Sequence, residues 1–465
     1  MFTHLVARIP TRVWVLAALL IWGGLVLLLL RQDGYGIEEG AAHALLLNWT
    51  LIDSVASPVF TFGVPDFRAV LFIPVAIYWS GSLLAAKVFT LLITFGAGLL
   101  LYRWCSRAAS PEAALIATGL WLIAPLTLYA ANSLGAGIYL LALFALGAWL
   151  EEAYRAEPRP LGGKYFAQLL VAAISVSLHP AGLAHPLALA WRWYQQPLSR
   201  PEQRQLFIGL AVAVVAVVLV RMGWSGLAWW SNPLPVLSGL LTTPGTTVGD
   251  AAYWLGFVAG VLTVWVLWAK RATWRHDTAG LMLVLGLLLG LSAADATWVL
   301  LALTVVLYYG VPQLIALNTA WGGSGLLGQR GGVLLLMVVV ATLFTSQDRQ
   351  QALNARAAPL AVQDQLLQAL VLEAGDDKQP FRVASQWPAR TMLVTRRDAL
   401  PLPPAAKDSA TQLQLLSGVT HLVFDPYRVE RALARNLSEL GAELETVVRQ
   451  EGGVILKLRA TEQPN

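Results

Sequence analysis

The chain has 465 residues, of which 57% are hydrophobic and 13% charged, and its mean hydropathy is +0.61. A soluble domain carries roughly 25% charged residues, so the composition excludes an ordinary soluble protein. The net charge of +5 does not indicate nucleic-acid binding, because the surplus cations lie in short segments between apolar runs. The single cysteine, Cys105, excludes an intrachain disulfide.

Apolar runs of helix-spanning length recur through the first 345 residues. A hydrocarbon core about 30 Å thick needs roughly 20 apolar residues per helix. The sequence therefore predicts about eleven transmembrane helices, at 13–30, 83–102, 112–129, 134–150, 165–179, 181–195, 206–222, 253–269, 278–292, 296–311 and 331–345. The first is interpreted as an uncleaved helix, because its apolar stretch is long and no small-residue cleavage site follows.

Lysine and arginine are distributed unevenly between the loops. The segments on one side of the predicted helices contain 14 of them, and the segments on the other side contain 3, namely Arg31, Arg68 and Arg221. Because cytoplasmic loops are enriched in positive residues, we expect a cytoplasmic N-terminus. An odd number of spans then places residues 346–465 outside the cell membrane, in the periplasm of a Gram-negative host.

Two long loops, 31–82 and 223–252, lie on the expected external side. The first contains the apolar stretches ALLLNWTLI and AVLFIPVAIYW, which predict two helices lying in the plane of the membrane interface. The second is rich in Trp, Pro and Gly and predicts a lid that skims the membrane. We expect a transmembrane domain over residues 1–345 that includes both loops.

Residues 346–465 have an ordinary soluble composition. A helical pattern covers about 350–374, and RVERALARNLSELGAE shows apolar residues at helical spacing. The runs FRVAS, TMLVT, THLVF and GGVILKL are typical of strands. The predicted fold class is therefore a polytopic α-helical membrane protein with a small C-terminal α/β domain outside the cytoplasm.

Glu38 and Glu39 lie just outside the first predicted span, in GYGIEEGAAHALLLNW. Adjacent carboxylates at a membrane-embedded loop could bind a divalent cation or act as a general base on an acceptor hydroxyl. They could also be solvated residues at a helix N-terminus, where acidic side chains meet the macrodipole favourably. The residues alone leave both interpretations open and favour the second slightly.

Several cations and histidines lie near the same predicted boundary. Lys87 is about one turn inside the second span, so it either extends its ammonium to the interface or pairs with a lipid phosphate. Together with Arg68 and Arg221 it would suit an anionic lipid headgroup. In SLHPAGLAHP, His179 faces the external side and His185 is interpreted as a packing residue. Neither histidine makes a convincing metal site.

Several common signatures are missing from the sequence. It contains no Walker A motif, which argues against ATP-driven transport, and no GxSxG, HExxH or CxxC.

The order of features resembles the GT-C glycosyltransferases, in particular the branch of lipid A aminoarabinose transferases and protein O-mannosyltransferases. IEEGAAHALLLNW is similar to that branch's Asp-Glu segment and juxtamembrane helix, with Glu38 at the Asp position. Lys87 stands where Arg is usual, and His179 stands where a Lys is usual. The fourth predicted span begins SLGAGIYLLALF, without the Asp that relatives often carry there.

The resemblance implies inverting transfer of a sugar from a polyprenyl-phosphate donor to a lipid, glycan or protein acceptor, at the outer face of a bacterial inner membrane. Membrane lipids are the other expected partner, and no nucleic acid is. Glu38 would deprotonate the acceptor, and Glu39 would orient the site or bind a divalent metal ion. The residues implied to contact the lipid phosphate are Lys87, Arg68, Arg221 and His179.

Two alternatives come from other classes of protein. The Glu-Glu pair and the missing Asp are compatible with a non-catalytic accessory or scaffold subunit of an envelope assembly. A secondary transporter fits less well, because such proteins often show paired halves with interrupted helices, and the sequence shows no such symmetry.

Overall fold

The chain divides into two compact units in the computed structural model. The membrane unit comprises Met1–Leu30 and Lys87–Ala352, and the sheet unit comprises Arg31–Ala86 and Leu353–Asn465. The structure describes residues 19–24, 26, 34–53, 67–79, 82–156, 162–195, 200–225, 264, 268, 277–290, 296–320, 338–343, 345–346, 362–374, 381–426, 429–450 and 453–459. The sequence predicts a membrane domain that includes residues 31–82, whereas the structure groups residues 31–86 with the C-terminal segment.

The described helices follow one another in chain order. They are α1 (Glu39–Asp53), α2 (Arg68–Leu71), α3 (Ile73–Trp79), α4 (Leu83–Ala108), α5 (Pro111–Ile123), α6 (Pro125–Asn132), α7 (Ala136–Ala156), α8 (Gly163–Leu178), α9 (Ala184–Tyr194), α10 (Arg200–Ser225), α11 (Thr278–Gly290), α12 (Ala296–Val305), α13 (Val311–Ala320), α14 (Val362–Ala374), α15 (Pro388–Thr395), α16 (Ser409–Leu415) and α17 (Arg431–Glu439). A 3₁₀ turn, Pro180–Leu183, joins α8 to α9, and a π-helical turn, Val306–Gly310, joins α12 to α13.

Within these described ranges, three helical segments are long and apolar enough to cross a membrane: α4, α7 and Val299–Ala316. The pair α5 and α6 counts as a fourth span if it is taken as one bent helix. Several other predicted spans coincide with shorter helices, whereas those at 13–30, 253–269 and 331–345 lie largely outside the described residues. The total of eleven therefore stays a prediction.

The bend between α5 and α6 is 52° and lies at Ala124. Pro125 has no backbone N–H and restricts the residue before it to an extended conformation. Ala124 adopts that conformation, with φ −65° and ψ 131°. The proline thus ends α5 and starts α6 in a new direction.

Side-chain hydrogen bonds join the helices of the membrane unit. Trp104 Nε1 donates to Asp277 Oδ2 over 2.6 Å, which links α4 to the start of α11. Trp121 Nε1 donates to Thr304 Oγ1 over 3.1 Å, which links α5 to α12. Buried polar side chains are shielded from water, so bonds across helices supply the partner that each needs.

At the connection between α8 and α9, two glycines lie so close to neighbouring atoms that a larger residue would not fit. A Cβ on Gly182 would lie 1.8 Å from the backbone oxygen of Ser175. A Cβ on Gly147 would lie 2.3 Å from the ring of His185. That ring is fully buried and its Nδ1 bonds Ser175 Oγ over 3.0 Å, which confirms the interpretation of His185 as a packing residue.

The sheet unit contains a five-stranded sheet with the order β2-β1-β3-β5-β4. The strands are β1 (Val383–Ser385), β2 (Ala399–Pro401), β3 (His421–Phe424), β4 (Leu444–Gln450) and β5 (Gly453–Leu458). β1 pairs in parallel with β2 and with β3, whereas β5 is antiparallel to both β3 and β4. The sheet and the helices α14 to α17 form the small α/β arrangement expected from the sequence.

One predicted strand is wrong. TMLVT (391–395) forms the second half of α15, which begins with Pro388 at its first helical position. Proline is favoured there because its fixed φ suits a helix start and its missing N–H is not needed. Strands β1, β3 and β5 and helices α14 and α17 agree with the predicted patterns, whereas β2, β4 and α16 were not predicted.

We expect Gly182→Ala to destabilise the membrane unit, because the added methyl group would clash with the backbone of Ser175. Overpacking a well-packed site costs roughly 1–3 kcal/mol. The matched control is Gly119→Ala, since a Cβ at this mid-helix position meets nothing within 4 Å. Thermal unfolding of the purified proteins in detergent compares the two. Equal midpoints for both variants would contradict the close approach.

Candidate functional site

Glu38 lies at the start of α1, where its backbone oxygen accepts the first helical hydrogen bond, from Ala42 N over 2.9 Å. Its Oε2 accepts a hydrogen bond from Arg68 Nη1 over 2.8 Å. The Arg68 side chain is only 4% exposed, whereas that of Glu38 is 32% exposed. One oxygen of Glu38 is therefore held by a buried cation while the side chain as a whole remains accessible.

Arg68 is placed by the packing of α1 against α2. Asn48 Nδ2 on α1 donates to Ala44 O over 2.8 Å and to Ala69 O over 2.9 Å. The second bond crosses to the residue next to Arg68. A buried charge is costly unless it is paired, and the Glu38 carboxylate is a partner that offsets this cost for the guanidinium of Arg68.

The Glu39 carboxylate caps a helix far away in the sequence. Its Oε1 accepts a hydrogen bond from Ala389 N over 2.7 Å, and its Oε2 accepts one from Arg390 N over 3.0 Å. Both amides belong to the first turn of α15. The first N–H groups of a helix have no partner within the helix and need an external acceptor.

The other amides at the start of α15 are also accounted for. Trp387 N donates to Ser385 Oγ over 2.9 Å, Pro388 has no N–H, and Thr391 N donates to Trp387 O over 2.9 Å. Trp387, at the N-cap position, provides no side-chain cap. Glu39 thus supplies both acceptors that α15 lacks.

Burial and hydrogen bonding shift the pKa of the Glu39 carboxyl in opposite directions. Burial raises the pKa of the carboxyl to about 7, while the two backbone hydrogen bonds and the positive charge of Arg390 lower it by less. The residue keeps some accessible surface, but its carboxylate is surrounded by protein. Glu39 therefore titrates in the neutral range.

The guanidinium of Arg390 extends this contact to α14. Its Nη2 donates to Asp364 Oδ1 over 2.6 Å, and its Nη1 donates to Gln363 Oε1 over 2.8 Å. Asp364 Oδ1 also accepts from Gly36 N over 3.2 Å. Gly36 has φ +76°, a left-handed conformation that glycine adopts without steric cost. We call this set of Gly36, Glu39, Asp364, Ala389 and Arg390 the Glu39 junction.

A second contact joins the other ends of α1 and α15. The guanidinium carbon of Arg396 lies 4.3 Å from the centroid of the Trp49 ring, within the range of a cation–π interaction. Arg396 directly follows α15 and has φ +57°. Because Glu39 meets the start of α15 and Trp49 meets its end, the two helices run side by side in the same direction.

In the membrane unit, Lys87 lies on α4 and is fully buried. Its Nζ donates to Asn132 Oδ1 over 3.0 Å. Asn132 is the last residue of α6, so the bend at Ala124 sets the direction of the helix that carries it. The sequence did not predict a role for Asn132. The signal that could have pointed to it is an Asn a few residues after a helix-breaking proline, in a chain that also carries a lysine inside a predicted span.

His179 and Arg221 are the other two residues predicted to contact the lipid phosphate. His179 Nδ1 accepts from Ala181 N over 3.1 Å, which caps the 3₁₀ turn that follows it. Arg221 belongs to α10, but its side chain lies outside the described residues, as does most of loop 223–252. In the part of the chain that the structure describes, no group of three or more His, Cys, Asp or Glu residues could hold a metal ion.

No protein-family model matches the chain, and no curated protein matches its sequence. Its fold resembles several solved structures, among them the following three. Those of ArnT from Cupriavidus metallidurans, bound to undecaprenyl phosphate and in the apo state, are 12% identical with TM-scores of 0.51 and 0.50. The alignments cover 97% and 96% of this chain and 98% and 97% of ArnT. The Archaeoglobus fulgidus oligosaccharyltransferase, complexed with Zn and sulfate, is 13% identical with a TM-score of 0.53, covering 88% of this chain and 68% of that one.

These neighbours are GT-C glycosyltransferases. The chain therefore has the GT-C fold, as the resemblance of its sequence implied.

The raised pKa of Glu39 predicts a pH-dependent stability of the folded protein. An unfolded glutamate has a pKa near 4.5, so between about pH 4.5 and 7 the folded state holds a proton that the unfolded state has released. The free energy of unfolding should then fall as pH rises through this window, by at most about 1.4 kcal/mol per pH unit.

Unfolding of wild type and Glu39→Gln between pH 5 and 8 measures this dependence. The difference between the two proteins isolates Glu39 from His421, whose pKa is lowered mainly by burial. Parallel stability curves for the two proteins would contradict a raised pKa at Glu39.

Proposed function

We propose that the chain is a membrane glycosyltransferase that transfers a sugar from a polyprenyl-phosphate donor to an acceptor hydroxyl. The observation that carries this proposal is the Glu38 carboxylate, which is partly exposed and oriented by the buried Arg68. It lies at the start of α1, the helix that corresponds in order to the juxtamembrane helix of the GT-C branch. The GT-C fold and the undecaprenyl phosphate bound to ArnT support the same reaction class.

In this reaction Glu38 acts as the general base. It takes the proton of the acceptor hydroxyl while the oxygen attacks the anomeric carbon of the donor sugar. The bond between that carbon and the lipid phosphate oxygen breaks, and its electron pair leaves with the phosphate. Attack opposite the leaving group inverts the configuration at the anomeric carbon.

Arg68 serves this reaction through Glu38. Its 2.8 Å bond to Oε2 fixes the direction of the carboxyl plane. Arg68 is therefore a positioning residue in this proposal, instead of the contact to the lipid phosphate that the sequence suggested.

Lys87 is the proposed contact to the donor phosphate. Ionisable residues at membrane depth are costly and usually functional. The amide of Asn132 accepts a hydrogen bond from the ammonium and orients it, and a positive charge at this position stabilises the negative charge that develops on the leaving group. Arg221 and His179 remain predicted contributors to the same phosphate.

We place the reaction at the outer face of a bacterial inner membrane, with the N-terminus in the cytoplasm. The basis is the unequal distribution of lysine and arginine between the loops.

We expect Glu38→Gln to lower turnover by roughly 100-fold or more, the range of general acid–base catalysis. The amide keeps the size of the side chain but cannot take the acceptor proton. The assay measures free undecaprenyl phosphate released from a panel of undecaprenyl-phosphate sugars in the presence of cell-envelope extract. Glu445→Gln on the exposed face of β4 removes the same charge and should retain full activity.

Turnover by both Glu38→Gln and wild type would remove Glu38 from the chemistry. No turnover by folded wild type, with an active GT-C enzyme turning over in the same extract, would favour the non-catalytic accessory subunit.

Lys87→Met should weaken the binding of undecaprenyl phosphate roughly 10- to 100-fold, because a charge-assisted hydrogen bond is lost while the side-chain shape is kept. Titration of the purified protein with undecaprenyl phosphate measures the dissociation constant. Lys164→Met, at an exposed position on α8, is the matched loss of charge and should leave binding unchanged. Equal binding by both variants would rule out Lys87 as the phosphate contact.

A further inference from the structure

The C-terminal domain has an anion-accepting position that a residue of the chain itself occupies. α15 starts directly after β1, at the carboxyl end of a parallel strand. β1 has β2 on one side and β3 on the other, so the connection from β1 to β2 and the connection from β2 to β3 run in opposite directions across the sheet. Open α/β sheets bind ligands at such a reversal, and helix N-termini there attract anions.

In this chain the anion at that position is the carboxylate of Glu39. It receives both free amides of the first turn of α15. The carboxylate and the helix start therefore satisfy each other.

The same junction fixes the segment that precedes α1. Asp364 accepts from Gly36 N on one side and from the Arg390 guanidinium on the other. Gly36 and Glu39 flank Glu38 in the sequence, so the backbone is held by α14 just before Glu38 and by α15 just after it.

We infer that Glu39, Asp364 and Arg390 are positioning residues, which hold the start of α1 against the C-terminal domain and thereby set the place of the Glu38 carboxylate. This inference rests on the proposed function only for the role of Glu38. It assigns the C-terminal domain a part in the reaction that does not require contact with substrate.

The arrangement explains why two adjacent glutamates have different roles. Glu38 has one oxygen on Arg68 and an accessible side chain, whereas both oxygens of Glu39 accept backbone hydrogen bonds. A base must reach the acceptor proton, and only Glu38 combines a fixed orientation with that accessibility.

The test is peptide-resolved hydrogen exchange on the full-length protein, comparing wild type, Glu39→Gln and the control Glu445→Gln. The glutamine carbonyl can accept from one amide of α15, but its NH₂ group then faces the other amide as a second donor. We expect the amides of Ala389 and Arg390 to exchange roughly tenfold faster, as a lost hydrogen bond to a charged group produces. The amides of Gly36 and Ala42 should accelerate with them, whereas the control should match wild type.

A second variant separates capping of α15 from positioning of α1. Trp387→Asp introduces an acidic N-cap within α15 itself, and such a residue accepts from the same first-turn amides. In Glu39→Gln combined with Trp387→Asp, we expect Ala389 and Arg390 to regain protection while Gly36 and Ala42 remain fast. Because α15 then has its own cap, this double variant also serves if Glu39→Gln alone does not fold.

Two outcomes would overturn the inference. One is unchanged exchange at Ala389 and Arg390 in Glu39→Gln. The other is normal protection at Gly36 and Ala42 in the double variant, which would show that Glu39 caps α15 without positioning α1.

Kinetics supply the readout that a merely structural role would not give. In Glu39→Gln, kcat should fall roughly 10- to 100-fold, as displaced catalytic groups do, while KM for the undecaprenyl-phosphate sugar stays within about twofold. A larger KM with normal kcat would contradict positioning of the base. If wild type shows no turnover, the proposed function fails. The exchange measurement still tests, independently of activity, whether the Glu39 junction holds the start of α1.

Discussion

Every buried amide at the beginning of a helix needs a hydrogen-bond acceptor. In the sheet unit, the acceptor for the start of α15 is a carboxylate 350 residues earlier in the sequence. The two oxygens of Glu39 receive Ala389 N and Arg390 N, so α1 and α15 cannot be placed independently. Asp364 and Arg390 add α14 to the same junction, and the Arg396–Trp49 contact keeps α1 and α15 side by side. The location of Glu38 within the sheet unit follows from this arrangement.

Buried polar groups also need hydrogen-bond partners in the membrane unit, where side chains on neighbouring helices supply them. Buried polar side chains pair across helices, as Trp104 does with Asp277 and Trp121 with Thr304. Lys87, a full charge at membrane depth, has the amide of Asn132 as a partner, and that amide lies at the end of α6 because Pro125 redirects the helix.

The sequence predicted the features that depend on local pattern. Apolar runs of span length predicted most of the described membrane helices, and short strand-like runs predicted β1, β3 and β5. TMLVT was assigned to a strand because its composition favours one, whereas Pro388 and the distant cap from Glu39 make it helical. Asn132, Asp364 and Arg390 were missed because their significance lies in contacts between residues far apart in the chain. The sequence identified the Glu38–Glu39 pair but had no means to tell an accessible carboxylate from one that accepts two backbone amides.

The long separation between Glu39 and α15 also bears on the order in which the protein folds. Glu39 leaves the ribosome some 350 residues before its partners, so the start of α1 must wait for the synthesis of the whole intervening chain before this contact can form. Contacts between residues so far apart form slowly, because the entropy of closing the intervening chain is lost first. A fragment restricted to residues 353–465 would begin α15 with two amides lacking their acceptor. The sheet unit is thus encoded in two separate parts of the gene, and the first of them supplies the carboxylate that caps α15.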